Sequence, residues 1–228
     1  MMIEETIGGK HCYLYENKQA SNILIQAIGD HSLEGLSEQV TAISKLAPDR
    51  PFSLAAFMVD DWNTELSPWE APAVFGNESF GSGAGDTLAY IIDTLIPELD
   101  KRITDGREMR YFLGGYSLAG LFALWAAYQT NAFHGVAAVS PSVWFPQWDS
   151  YMTEHRILTP RVYLSLGRKE EKTRNKVMAT VGENIRRKYE ILANSPYCKE
   201  CALEWNPGNH FMDTDIRTAK GFAWLLNS

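Results

Sequence analysis

The sequence predicts a single α/β domain with a mostly parallel, doubly wound sheet flanked by helices. Its 228 residues are enough for one sizeable core. Short apolar runs alternate with longer amphipathic runs along the chain, which is typical of parallel strands joined by helices. No repeat, low-complexity segment or linker divides this pattern. We therefore interpret residues 1–228 as one domain.

Seven short apolar runs predict the strands, and the first of them is expected to be antiparallel at an edge of the sheet. These runs are HCYLY (11–15), NILIQAI (22–28), FSLAAFM (52–58), MRYFLGG (109–115), GVAAVS (135–140), RVYLSLG (161–167) and CALEW (201–205). Longer runs predict helices at about 33–47, 85–102 and 118–130, a long one through about 193, and one from about 214. Ligands of such sheets bind beyond the carboxyl ends of the strands.

The stretch GGYSLAGLFALW contains a candidate nucleophile at one of these strand ends. Ser117 follows an apolar strand and precedes an apolar helix, the context of the Gly-x-Ser-x-Gly nucleophile elbow. The turn is crowded, so the residues two before and two after the serine must be small. Gly115 and Ala119 meet that requirement, and Gly120 permits close packing of the helix. An ordinary serine at a strand–helix junction is the alternative.

A candidate base lies in NPGNHFMD, between the last strand and the last helix. His210 is on a loop that could bring its imidazole over the serine. A solvent-exposed loop histidine is the alternative interpretation. His11, His134 and His155 lack a comparable placement.

The acid of a triad is expected between serine and histidine in this chain order. The loop RKEEKTRN follows a strand and offers Glu170 and Glu171, of which we favour Glu170. Either glutamate could instead stabilise the start of the next helix. Asp149 is a weaker third candidate.

Two backbone amides are expected to form an oxyanion hole. One is the amide of Leu118, next after the serine, and the other belongs to Gly29 or Asp30 in the loop after NILIQAI. His31 in the same loop is expected at the entrance of the site.

An irregular segment at about 59–85 is rich in proline, glycine and aromatic residues and is expected near the active site. Trp62 and Trp69 within it, with Trp144 and Phe211, are candidates for an apolar substrate pocket. The alternative is that these aromatic side chains only cover the sheet.

Charge and composition argue against several classes of partner. A formal net charge of −7 without a long basic run disfavours nucleic-acid binding. No segment is apolar enough to span a membrane, and the start MMIEETIGGK lacks the features of a signal peptide, so we expect a cytoplasmic protein without a membrane partner. Cys198 and Cys201 form C-x-x-C but lack further ligands for zinc, so we expect reduced structural thiols and no metal.

The segments GGYSLAGLFALW, AVSPSVWF, LSLGRKEEKTRN and PGNHF together resemble the putative-esterase branch of the α/β-hydrolases, which includes esterase D and the enterochelin esterases. WNTELSPWEAP is similar to uncharacterised members, and the resemblance spans nearly the whole chain. It implies an α/β-hydrolase fold, serine ester hydrolysis and no cofactor.

By position, Ser117 matches the family nucleophile, His210 the base, and Gly167-x-x-Glu170 the pattern of the acid. Some siderophore esterases of the branch rely on a serine–histidine pair. Ala119 in place of glycine, and Arg168 where relatives often carry Asp, depart from the family pattern.

The sequence thus predicts a serine hydrolase that cleaves a small-molecule carboxylic ester through an acyl-enzyme. An acyltransferase on the same scaffold and a non-catalytic binding protein remain alternatives, and the oligomeric state is open.

Overall fold

The computed structural model describes residues 2–74, 76–103 and 106–227 and contains one eight-stranded sheet. The strands are β1 (Met2–Ile7), β2 (Lys10–Tyr15), β3 (Asn22–Ile28), β4 (Phe52–Met58), β5 (Arg110–Tyr116), β6 (Gly135–Val139), β7 (Arg161–Gly167) and β8 (Glu200–Asn206). Their order across the sheet is β1-β2-β4-β3-β5-β6-β7-β8. β1 and β2 are antiparallel to their neighbours, and β3 to β8 are mutually parallel.

Helices cover both faces of this sheet. They are α1 (Leu36–Leu46), α2 (Trp62–Glu65), α3 (Ala84–Tyr90), α4 (Ile96–Ile103), α5 (Leu118–Gln129), α6 (Trp148–Glu154), α7 (Val181–Ala193) and α8 (Thr214–Asn227). A π-helical stretch, Ile91–Leu95, joins α3 to α4. Helices α1 and α8 pack on one face of the sheet, and α3 to α7 contribute the core on the other face.

The centre of the sheet is apolar because it is covered on both sides. Every residue of β3 is buried, as expected for a central parallel strand. Helix α5 is buried from Leu118 to Tyr128 and is apolar around its whole circumference. The helix that follows Ser117 is therefore held rigidly against the sheet.

The predicted mostly parallel, doubly wound sheet is confirmed. The strands expected at 22–28, 52–58 and 161–167 have those bounds, and the other predicted strands differ by one residue at one or both ends. Helix α8 begins at 214, as predicted.

The prediction that HCYLY lies at the sheet edge is wrong, because β1 pairs with β2 and takes that place. Two adjacent glutamates in MIEETI interrupt its apolar pattern, although three of its six residues are β-branched. The turn between β1 and β2 carries the missed signal. Gly8 and Gly9 have φ of 56° and 89°, values that a tight hairpin turn requires at both positions.

The long helix predicted after RVYLSLG and through about 193 ends at Ala193 but begins only at Val181. Two 3₁₀ turns, Glu170–Lys172 and Met178–Thr180, precede α7. Thr173 interrupts the helical path with extended backbone at φ −65° and ψ 154°. The short helices α2 and α6 were not predicted, since neither is long enough to show helical periodicity.

The irregular segment at about 59–85 has local order in its described part. Asp61 caps α2 by accepting a hydrogen bond from the Thr64 amide at 2.9 Å. Ala71 and Phe80 pair across an isolated antiparallel bridge. This segment covers the sheet end next to the loop that follows β3, where the Trp62 ring meets His31.

Candidate active site

Ser117 occupies a strained turn between β5 and α5. Its φ of 60° and ψ of −119° lie in a region that non-glycine residues rarely adopt. A Cβ on Gly115 would lie 2.4 Å from the Ala119 carbonyl oxygen, and one on Gly120 would lie 2.9 Å from the Gly115 carbonyl oxygen. The turn therefore excludes side chains at both glycines, while the small side chain of Ala119 is accommodated and buried.

A continuous chain of hydrogen bonds joins three of the predicted side chains. His210 Nε2 lies 3.0 Å from Ser117 Oγ, and His210 Nδ1 lies 2.7 Å from Glu170 Oε2. Ser117 and His210 are partly exposed, whereas Glu170 is buried. In this order a histidine can accept the serine proton while the carboxylate stabilises the resulting imidazolium.

The second carboxylate oxygen of Glu170 is held by three donors. Oε1 accepts hydrogen bonds from Ser140 Oγ at 2.7 Å, the Gly167 amide at 2.7 Å and Arg217 Nη1 at 3.1 Å. A Cβ on Gly167 would come within 2.8 Å of Oε1, so glycine is required there for the carboxylate to approach the backbone.

These donors decide the ionisation of Glu170. Burial by itself raises the pKa of the carboxyl, but the hydrogen bond and charge of His210, with the bonds from Ser140 and Gly167, outweigh it. The pKa of Glu170 therefore lies below its ordinary value. The group is a carboxylate at neutral pH, the form that can pair with an imidazolium.

The other two candidate acids lie elsewhere. Glu171 turns away from His210 and pairs with Arg186 of α7, with Nη1 and Oε2 3.1 Å apart. Asp149 pairs with Arg187 and Lys188. Of the three carboxylates considered from the sequence, the structure brings Glu170 to the histidine.

Two further residues hold the histidine loop in place. The Tyr116 hydroxyl donates to the His210 carbonyl oxygen at 2.8 Å and accepts from Arg217 Nη1 at 3.0 Å. Burial and the nearby Glu170 carboxylate raise the pKa of Tyr116 to about 12, so its hydroxyl keeps its proton. Arg217 also donates to the Pro207 carbonyl oxygen. The guanidinium thus links Glu170, Tyr116 and the loop that carries His210.

Sequence analysis missed Tyr116, Ser140 and Arg217. Ser140 ends the β6 run and has a φ of 43°, a strain that the sequence does not reveal. Tyr116 directly precedes the serine, so its position alone could have marked it. Arg217 gave no signal, because an arginine in a helix is usually exposed, whereas this one is 2% exposed.

The expected oxyanion donors lie at two strand ends. Leu118 is the first residue of α5, and the first amides of a helix have no partner within it. Gly29 and Asp30 follow β3, where a 3₁₀ turn begins. Both locations match the expected arrangement of a helix start and a neighbouring loop.

Two cavities flank the residues around Ser117 and His210. The first, of about 390 Å³, is lined by Tyr116, by His31 and Trp62, and by the carboxylates of Glu34, Glu38 and Asp215. We call it the acidic cavity. His31 and Trp62 meet edge to face there, with ring centroids 5.2 Å apart.

The second cavity, of about 420 Å³, is lined by His210 itself, together with Glu170 and Ser140. We call it the basic cavity, because Lys169 and Lys172 line it. Trp144 and Phe211 contribute apolar wall, and Phe211 is 86% exposed.

Trp69 lines neither cavity. Its ring packs against Phe145, Trp148 and Tyr151, and its indole nitrogen donates to the Pro146 carbonyl oxygen at 3.0 Å. The alternative considered for the aromatic residues, a covering role, therefore fits Trp69.

The described residues contain no disulfide, no candidate metal site and no candidate membrane span. Cys12, Cys198 and Cys201 are free thiols. Within residues 2–74, 76–103 and 106–227, no group of three His, Cys, Asp or Glu side chains is placed to hold a metal ion. Over the same ranges, no helix is both long and apolar enough to cross a bilayer.

Three features define the α/β-hydrolase class: the order of the strands in the sheet, the strained serine after a central strand, and the histidine loop after the last strand. A family model described as "Putative esterase" matches residues 56–210, more than half of the chain. The chain therefore belongs to this esterase family. The resemblance noted in the sequence is confirmed.

Solved structures share the fold over the whole chain. The siderophore hydrolase EstA from Aspergillus nidulans superposes with a TM-score of 0.82 at 16% identity, covering 99% of this chain and 94% of that one. An IroE-like serine hydrolase from Shewanella oneidensis gives 0.81 at 13% identity, covering 100% and 80%. The enterobactin hydrolase IroE in complex with DFP gives 0.68 at 14% identity, covering 100% and 95%.

At these identities the likeness concerns the fold. A search of curated protein sequences returned no match to the chain.

Proposed function

We propose that this protein hydrolyses a small-molecule carboxylic ester through an acyl-enzyme on Ser117, with His210 as base and Glu170 as acid. The observation that carries the proposal is the chain of hydrogen bonds from Glu170 Oε2 through His210 to Ser117 Oγ, at 2.7 and 3.0 Å. Both distances lie within the range at which a nucleophile and its base exchange a proton.

In the first half of the reaction, Ser117 Oγ attacks the ester carbonyl carbon while its proton passes to His210 Nε2. The carbonyl oxygen becomes an oxyanion that accepts hydrogen bonds from the Leu118 amide and from the amide of Gly29 or Asp30. In comparable sites each such donor contributes about 3 kcal/mol to the transition state. The intermediate collapses, the C–O bond to the alcohol breaks, and the alcohol leaves with the proton from His210.

Water completes the cycle by the same steps in the same order. His210 takes a proton from the water as its oxygen attacks the acyl carbon. The second tetrahedral intermediate breaks to the carboxylic acid, and Ser117 regains its proton. Glu170 remains ionised throughout, since its lowered pKa keeps it a carboxylate at neutral pH.

A fluorophosphonate probe tests the nucleophile directly. We expect it to modify Ser117, as located by peptide mapping, and to leave the Ser117→Ala variant unlabelled. The strained serine and its hydrogen bond to His210 are the physical reason. Label on another serine would contradict the assignment, and so would an unreactive wild-type protein.

The acyl acceptor and the natural ester need separate measurements. Product analysis with an added alcohol distinguishes hydrolysis from acyl transfer. Since two structures of this fold are named siderophore hydrolases, siderophore esters belong in the first substrate panel beside aryl and alkyl esters. The single-domain assignment of residues 1–228 and the cytoplasmic location stay predictions from the sequence.

A further inference from the structure

We propose that the basic cavity binds the leaving alcohol of the ester, and that this alcohol has an apolar body carrying a carboxylate or phosphate. The inference rests on the proposed function, because it assigns a substrate class to that same site. It follows from the position of the cavity, the free charges on its wall and the contrast with the acidic cavity.

The position of the cavity assigns it to the alcohol. His210 lines the basic cavity together with its neighbours Asn209 and Phe211. A histidine base protonates the departing oxygen, so the leaving group must lie within reach of Nε2. The portion of the substrate beside His210 is therefore the alcohol.

The two lysines of the wall face the cavity from the same side of a short helix. Lys169 directly precedes the 3₁₀ turn Glu170–Lys172, and Lys172 ends it. With about three residues per turn, positions three apart lie on one face. The Lys169 amide donates to the Gly208 carbonyl oxygen at 3.0 Å, which ties this turn to the loop of His210.

Both carboxylates next to these lysines have partners of their own, including Glu170, which also lines the cavity. Glu170 is bound by His210 and Arg217, and Glu171 pairs with Arg186. Lys169 and Lys172 have no ion pair with any residue that the structure describes. Two ammonium groups are thus available to an anion in the cavity.

The rest of the wall suits an apolar body. Trp144, Met178, Val181 and Phe211 line the cavity, and its volume of about 420 Å³ is in the range of small-molecule sites. Phe211 is 86% exposed beside the histidine, an apolar surface that a bound aryl or alkyl group would cover.

The acidic cavity has the opposite charge. Glu34, Glu38 and Asp215 line it, and its described lining includes neither lysine nor arginine. An anionic group is repelled there and attracted to Lys169 and Lys172. The charge difference therefore determines which way round an anionic ester binds.

Three phenyl acetates with the same acyl group test the proposal: 4-acetoxybenzoate, its neutral methyl ester, and the 4-trimethylammonium analogue. Each kcat/KM is divided by the rate of alkaline hydrolysis of that ester. We expect the wild-type protein to prefer the anion over the cation by about tenfold, mainly through KM, and the preference to shrink at high salt.

The variant Lys169→Gln/Lys172→Gln should abolish this preference. Arg174→Gln/Lys176→Gln is the matched control, since it also removes two positive charges from the same loop, outside the cavity. It should retain the wild-type preference. A preference that survives the double change, or that disappears equally in the control, overturns the proposal.

Two further experiments distinguish failure of this inference from failure of the proposed function: one uses esters with a charged acyl group, and the other measures binding of the alcohol product. If the same two lysines raise kcat/KM for phenyl hemisuccinate relative to phenyl butyrate, the cavity binds the acyl group and the assignment is wrong. Binding of 4-hydroxybenzoate to Ser117→Ala, measured by calorimetry, needs no turnover and should weaken about tenfold in the lysine variant. Absence of that binding overturns the proposal, whereas absence of turnover and of Ser117 labelling overturns the proposed function.

Discussion

The side chains around His210 form two groups, which we call the buried side and the open side, and these differ in burial and in how fully their polar groups are paired. On one side, Glu170 and Arg217 are 6% and 2% exposed, and both are engaged in hydrogen bonds. On the other side, Phe211 is 86% exposed, and Lys169 has no ion pair with a described residue. The polar groups of the buried side are already paired in the absence of a substrate, while the open side has exposed apolar surface and an unpaired charge that a substrate can contact.

This difference indicates that the two sides have different roles in catalysis, binding and stability. Removing a member of the buried network leaves other buried polar groups unpaired, which costs both stability and geometry. Removing an open side chain takes away only contacts with a ligand. We therefore expect changes on the buried side to act on kcat and on folding, and changes on the open side to act on KM.

The largest effect is expected at the residue between the two sides. His210→Ala removes the group that accepts the serine proton, so kcat on a p-nitrophenyl ester should fall by about 10⁶-fold. The free energy of unfolding should also fall, because the change leaves the buried Oε2 of Glu170 without its partner at 2.7 Å. Steady-state kinetics and urea unfolding measure the two quantities. A fall in kcat of less than tenfold would show that another base serves Ser117.

A second comparison uses two adjacent glutamates. Glu170→Gln should lower kcat by about 10⁴-fold, because a neutral amide at 2.7 Å from Nδ1 does not stabilise the imidazolium. Glu171→Gln is the matched control and should retain activity within a few-fold, since Glu171 contacts Arg186 on the surface. The reverse order of effects would make Glu171 the acid, and equal small effects would indicate a serine–histidine pair.

The buried side should also make stability depend on pH. The pKa of Glu170 is lowered in the folded protein, so the carboxylate contributes stability that is complete above the unfolded-state pKa of about 4.3. That contribution is lost as the pH falls through the folded-state value. Wild-type protein should therefore lose more free energy of unfolding between neutral pH and that range than Glu170→Gln does. Urea unfolding at several pH values measures the difference, and parallel curves would refute it.

The smallest effect is expected on the open side. Phe211→Ala should raise KM for aryl esters by less than about tenfold and leave kcat nearly unchanged, because the exposed ring stabilises substrate and transition state alike. Trp62→Ala is a companion variant in the acidic cavity. A large loss of kcat in Phe211→Ala, with the fold intact, would mean that the ring positions His210, and the two sides would no longer be distinct.

The strands and helices that could be predicted from the sequence are those with a strong local pattern of apolar residues. The runs NILIQAI, FSLAAFM and RVYLSLG are mostly apolar because their strands are covered on both faces, so their bounds follow from the sequence. Strand β1 was missed because its glutamates mask the pattern, and α6 because it spans seven residues. Local periodicity cannot report elements of that kind.

The candidate site divides in the same way. Ser117, Glu170 and His210 could be selected because each follows a strand, and the carboxyl ends of parallel strands meet at one edge of the sheet. The structure brings these three side chains into contact, while their catalytic roles stay predictions. Arg217 and Ser140 could not be selected, since nothing in their local sequence indicates that they are buried against Glu170.

The sequence alone determined the class of fold, the tight turn at Ser117 and the order of serine, glutamate and histidine. Hydrophobic periodicity and small residues around a turn are local properties, so they can be recognised from neighbouring residues in the sequence. Only the tertiary structure decided which of two adjacent glutamates meets the histidine, that a buried arginine holds it, and that the flanking cavities carry opposite charge. Those outcomes depend on how distant strands and helices pack, because a side chain's burial and charge partners are set by neighbours in space.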